Sequence, residues 1–98
     1  MEKYDFDSMG ALWADQARKI VENGVFVANS GGWDLWAYDG VVYIIPVNGS
    51  GGSASYWCAL SQLRAHLFRR RTICRYNALI PDGWKNINHE FLEAYGIT

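Results

Sequence analysis

The sequence predicts an α+β domain, a three- to four-stranded antiparallel sheet with two to three helices packed on it. Three observations carry that prediction. Residues 33 to 47 read as two strands joined by Asp39-Gly40, the dipeptide that best fits a two-residue type I′ turn. Met9, Leu12, Trp13, Ala17, Ile20 and Val21 recur at helical spacing. Half of the 98 residues are hydrophobic and 19% are charged, which suits one folded domain over residues 1–98 with a single core. The expected order is α-β-β-β-α-(β)-α.

The first helix takes Asp7 or Ser8 as its cap, with acidic residues near its positive end. Asn23-Gly24 stops it, and Gly24 suits the left-handed position that follows a helix. Val25 to Asn29 read as a first strand, turning through Ser30-Gly31-Gly32 into the second. Asn48 to Ser53 is a flexible Gly/Ser loop. A second helix is expected from Ser53 or Ser55 to about Arg70, with Tyr56, Leu60, Leu63 and Leu67 as its buried stripe. Thr72 to Ile80 alternate like a further strand, with continuation as helix the alternative, and Pro81-Asp82-Gly83 make a turn. Asn86 or Asn88 caps a short final helix with Ile87, Phe91, Leu92 and Tyr95 inward, and Gly96-Ile97 resemble its closing latch.

The Asp39-Gly40 turn dictates which residues share a face. Tyr38 opposes Val41, so Trp33, Leu35, Ala37, Val42, Ile44 and Pro46 lie on one side. Asp34, Trp36, Tyr38, Val41, Tyr43 and Ile45 lie on the other. With Asn29 opposite Trp33, Val25 and Val27 join the aliphatic side, and Phe26 and Ala28 the aromatic one. The first helix is expected on the aliphatic side. The aromatic side then needs a cover of its own, either the second or the last helix, or a partner.

Charge is unevenly spread. Residues 1–40 hold seven acids against three bases, residues 41–59 hold no charge, and residues 60–85 hold six bases against Asp82. Arg64, Arg69, Arg70, Arg71 and Arg75 concentrate the positive end. No apolar run approaches the roughly 20 residues of a membrane span. The opening residues lack the basic and apolar regions of a signal peptide, so a cytoplasmic setting with reduced thiols is expected.

Little in the chain carries reaction chemistry. Cys58, His66, Cys74 and His89 lack the paired clips of structural zinc sites, so no metal and no cofactor is expected. The Gly-rich loop has neither the P-loop nor the dinucleotide spacing. Residues Ser55 to Ala59 superficially resemble the cysteine-protease and transglutaminase arrangement. That resemblance implies a Cys58–His89 hydrolase or transferase pair, but it lacks a third member and the Gly directly before the Cys. Asp34 reads either as a solvated strand residue or as a charged anchor among aromatics, able to receive an Arg or Lys.

Five Trp and six Tyr in so short a chain favour recognition of another macromolecule. The expected function is non-enzymatic protein binding, as an inhibitory or accessory protein of the phage or mobile-element type acting on host machinery. Phe26, Asp34, Trp36, Tyr38 and Tyr43 would form the contact, with Arg69, Arg70, Arg71 and Arg75 steering an acidic partner. A homodimer is one form of such a partner. The alternative is nucleic-acid binding through Arg64–Arg75, against which stands a pI near 6.0.

Overall fold

The computed structural model describes residues 3–63 and 88–95. A 3-10 turn, Phe6–Met9, leads through Gly10 into helix α1, Ala11–Asn23. Strands β1 (Val25–Ser30), β2 (Trp33–Tyr38), β3 (Val41–Pro46) and β4 (Ser55–Ala59) pair in chain order as an antiparallel meander. A second 3-10 turn, Leu60–Gln62, follows β4, and helix α2, His89–Ala94, packs against β1. Four antiparallel strands with helices give the α+β class that the sequence predicts.

The β2–β3 hairpin has the register that its turn dictates. Asp39 at φ 50° and Gly40 at φ 78° supply the two positive φ angles of a type I′ turn. Pairing then runs without a slip from Tyr38↔Val41 to Trp33↔Pro46. On one side Leu35, Ala37, Val42 and Ile44 join Val27, Ala28, Trp57, Cys58, Leu63, Phe91 and Leu92 in one buried cluster. Asn88 docks α2 onto this layer. Its side chain accepts from the Phe91 amide at 3.2 Å and donates to the Phe26 carbonyl at 2.8 Å, while its own amide donates to the Val27 carbonyl at 2.8 Å. These bonds cap the helix and occupy the outer edge of β1, which blunts that edge against further pairing.

Several expectations are corrected. Helix α1 lies on the aromatic side, where Ala17 and Ile20 pack with Ile45 and, at the margin, Trp36, Tyr38 and Tyr43. The aliphatic side takes α2 and Leu63 instead. Rings and small helix residues are as compatible a pairing as aliphatics are, so composition alone cannot choose the side. Helix α1 begins at Gly10 and not at an Asp7 or Ser8 cap, and Leu12 points outward at 72% exposure. Gly24 is extended, at φ −89° and ψ −170°. Glycine is needed there for room: a Cβ would stand 2.6 Å from the carbonyl oxygens of both Ala37 and Ile20.

Val25 and Phe26 keep the expected β1 register, opposite Ala37 and Trp36, and from Ala28 onward it is one residue off. Asn29 opposes Asp34 and Ala28 opposes Leu35, with an irregularity between Phe26 and Ala28. That bulge sends Val27 and Ala28 both into the aliphatic core and still leaves Phe26 opposite Trp36. Ser55–Ala59, expected as the start of the second helix, is the fourth strand, and residues 64–70 of that expected helix lie outside the described residues. Tyr, Trp and Cys suit a pleated, half-buried strand, and pairing there satisfies the open edge of β3. Tyr56 accordingly leaves the expected buried stripe and is 53% exposed, and Tyr95 is likewise exposed. The Gly/Ser loop therefore leads into a strand, without the helix N-terminus that a phosphate cradle uses. Ser50 donates to the Gly32 carbonyl at 2.8 Å and Ser53 to the Met9 carbonyl at 2.8 Å, tying that loop to both of its neighbours. The strand expected over 72–80, the turn at 81–83 and the latch at 96–97 lie outside the described residues.

Candidate functional site

Register assembles a row of rings across the sheet. Phe26 opposes Trp36, Trp36 opposes Tyr43, and Tyr43 opposes Tyr56, so one residue from each strand stands side by side. Two irregularities make this alignment possible, one in β1 before Ala28 and one between Val42 and Tyr43, where Trp57 is carried to the other face. Phe26 and Trp36 meet edge to face, with centroids 5.8 Å apart at 77°. Trp13 of α1 stands edge-on to Tyr43 at 6.0 Å and 71°. Such geometry adds about 0.5–1.5 kcal/mol per pair beyond area burial. The two ends of the row differ sharply.

The β1 end is closed. Lys3 and Tyr4 lie over it, and both converge on Asp34, whose side chain is wholly buried. Lys3 Nζ stands 2.9 Å from Asp34 Oδ2, Asn29 Nδ2 donates to Oδ1 at 2.7 Å, and the Tyr4 hydroxyl donates to Oδ2. Trp36 Nε1 donates in turn to the Tyr4 oxygen at 2.9 Å. Lys3 also sits over two rings, 5.2 Å from the Phe26 centroid and 5.6 Å from that of Tyr4. A carboxylate taken from water needs this density of donors, since an unpaired buried charge costs several kcal/mol. Burial, then the bond to Asp34, pushes the Tyr4 hydroxyl well above its ordinary value of 10, so it remains a donor. The solvated-residue reading of Asp34 is thus replaced. Asp34 is an anchor, and this chain's own Lys3 fills it.

The β4 end is open. Tyr43 is half-buried and Tyr56 exposed, and the next ring inward, Trp13, is only half-buried. Leu12, which precedes Trp13 in α1, is 72% exposed. Sequence reasoning brought Phe26, Asp34, Trp36, Tyr38 and Tyr43 to this face, and all five lie there. It missed Tyr56, whose strand was read as helix, and it missed Lys3 and Tyr4. A Lys-Tyr pair upstream of an unpaired strand Asp was the available signal. Arg69, Arg70, Arg71 and Arg75 lie outside the described residues.

The remaining candidates carry less. Cys58 faces the aliphatic core at 2% exposure, and burial pushes its thiol up to about 12. A nucleophilic thiol needs the reverse, an accessible and electropositive setting. His89 is exposed at the start of α2. Among the described residues no group of three or more His, Cys, Asp and Glu is placed to hold a metal ion. Among them, too, no helix is long and apolar enough to cross a membrane. Compared with protein-family models, with curated proteins and with solved structures, the chain matches none of them.

Proposed function

We propose that this protein is a small, non-enzymatic protein-binding module of the cytoplasm, with the open end of the aromatic row as its contact surface. The observation that carries the reading is Tyr56, an exposed ring in register with Tyr43, whose other neighbour is the edge-on Trp13. Tyr and Trp are enriched at interface hot spots because one rigid side chain buries a large area. An accessory or inhibitory role against host machinery is the class of function such a module serves. The cytoplasmic setting draws support from Cys58, a thiol held unpaired in the core.

The test compares the whole protein with its Leu12→Ala/Tyr56→Ala double variant as bait in cells of its native host. A protein retained by the parent after nuclease treatment and lost by a folded double variant is the expected result. Equal retention by both baits overturns the surface. Loss of all capture on nuclease treatment moves nucleic acid, bound through Arg64–Arg75, into first place. Sedimentation equilibrium reads the remaining possibility, a second copy of the chain as the partner.

A further inference from the structure

The closed end of the aromatic row has the anatomy of an occupied binding site. Its floor is the Phe26 and Trp36 rings, and its anchor is a carboxylate with no exposure to solvent. Its occupant is a cation beside an aryl hydroxyl, Lys3 and Tyr4. The cation enters from the water side: the Lys3 side chain is 54% exposed, whereas that of Asp34 is 0% exposed. Residues 3 to 5 belong to no strand or helix. The Asn48 amide donates to the Lys3 carbonyl at 2.7 Å, and the Tyr4 ring packs with Met9, Ala17, Ile20 and Ile45. Side-chain chemistry therefore holds this segment in place, and side-chain chemistry can be matched by another molecule.

We propose that the seat around Asp34 is an acceptor site for a protein segment that presents a Lys or Arg next to a Tyr, and that Lys3-Tyr4 is its occupant in cis. Charge complementarity selects the ligand. Asp34 demands a cation, the Phe26 face accepts one, and Trp36 Nε1 offers its donor to a phenolic oxygen. A neutral or acidic segment would leave the buried carboxylate unpaired. The cis occupant lowers the apparent affinity of any competitor, because a tethered ligand acts at an effective concentration in the millimolar range. The seat is thus shut to weak binders and open to a segment with further contacts of its own. This inference rests on the protein-binding reading for the class of ligand, but it uses the other end of the row.

The test uses the full chain and a synthetic peptide with the sequence of residues 3–9. Lys3→Met weakens the cis occupant while keeping its bulk. Titrating the peptide into this variant should shift the Trp36 indole and Asn29 side-chain amide signals saturably, about tenfold more tightly than in the parent. Adding Asp34→Asn to the variant should abolish the shift. A folded Lys3→Met chain with no saturable shift overturns the proposal, as does an unchanged shift with Asp34→Asn. Should Lys3→Met fail to fold, hydrogen exchange on the parent decides. Local opening predicts an Asn48 amide about 100-fold less protected than the β2–β3 ladder amides, and equal protection means that the segment is core. None of these readouts involves Leu12 or Tyr56, so failure here and failure of the open surface are told apart.

Discussion

Two ends of one aromatic row, on the outer strands of a four-stranded sheet, have opposite fates. At the β1 end Phe26 and Trp36 lie under Lys3 and Tyr4; Lys3, Tyr4 and Asn29 all meet Asp34, and Trp36 donates to Tyr4. At the β4 end Tyr56 has the same register relation to its neighbour, yet stands 53% exposed, with no buried charge beneath it among the described residues. Ring content does not separate them, since both ends are built of Tyr, Trp or Phe. The carboxylate does. A buried charge recruits a cover of specific chemistry, whereas a ring alone tolerates water on one side.

If that contrast is right, truncating a tyrosine at each end gives very different losses. Tyr4→Ala removes a 5%-exposed ring and the hydroxyl that joins Asp34 to Trp36. The expected loss is about 3–5 kcal/mol, the range for a buried aromatic. Urea denaturation measures it. A loss below about 1 kcal/mol would show that the segment contributes little to the fold and would erase the contrast.

Removing only the hydroxyl sharpens the point. Tyr4→Phe keeps the ring and leaves Asp34 and the Trp36 indole each short of a partner. A cost of about 1–3 kcal/mol is expected by the same measurement, since unmet buried polar groups carry that penalty. If Tyr4→Phe is neutral, the polar network is incidental and the ring does all the holding.

Alkaline pH reads the same end without mutating it. Burial pushes the Cys58 thiol up from 9 to about 12. Burial and then Asp34 push the Tyr4 hydroxyl above its ordinary 10. Above those ordinary values the unfolded chain has released protons that the folded chain still holds. Stability is therefore full below pH 9 and falls as pH rises, by about 1.4 kcal/mol per pH unit for each group. Cys58 governs the first unit and Tyr4 joins it above about pH 10. Tyr4→Phe should flatten the steeper limb and leave the slope between 9 and 10 unchanged. Melting curves across that range check it, and an unaltered upper limb would mean that Tyr4 is not buried as a donor.

How far these two ends could be read in advance depended on how local their causes are. Asp39-Gly40 determined the β2–β3 register by turn geometry alone, and with it the positions of Trp36 and Tyr43. The β1 bulge left no such mark, because inserting one residue at Val27 is decided by the packing of Val27 and Ala28 together. Ser55–Ala59 misled in the other direction. Leu60 and Leu63 continue a helix-like stripe upstream through Tyr56, and only the open edge of β3 overrides it. The burial of Asp34 was equally invisible, since its cation lies 31 positions away in a segment with no secondary structure. Side-chain networks between distant segments leave no periodicity to read.

The smallest stability effect belongs to the open end, and it is the one with the most to say about function. Tyr56→Ala removes a ring that water already reaches, from a strand whose backbone pairing is untouched. Its expected cost is within about 0.5 kcal/mol, as for other surface positions without a special role. Yet a hot-spot tyrosine typically costs about 2 kcal/mol or more of binding energy when truncated, roughly a thirtyfold loss of affinity. Stability retained with binding lost is the signature of a side chain kept for a partner. Stability lost by more than about 1 kcal/mol would instead mean that Tyr56 braces Tyr43 and Trp13 within the fold, and the open end would then be a thin part of the core.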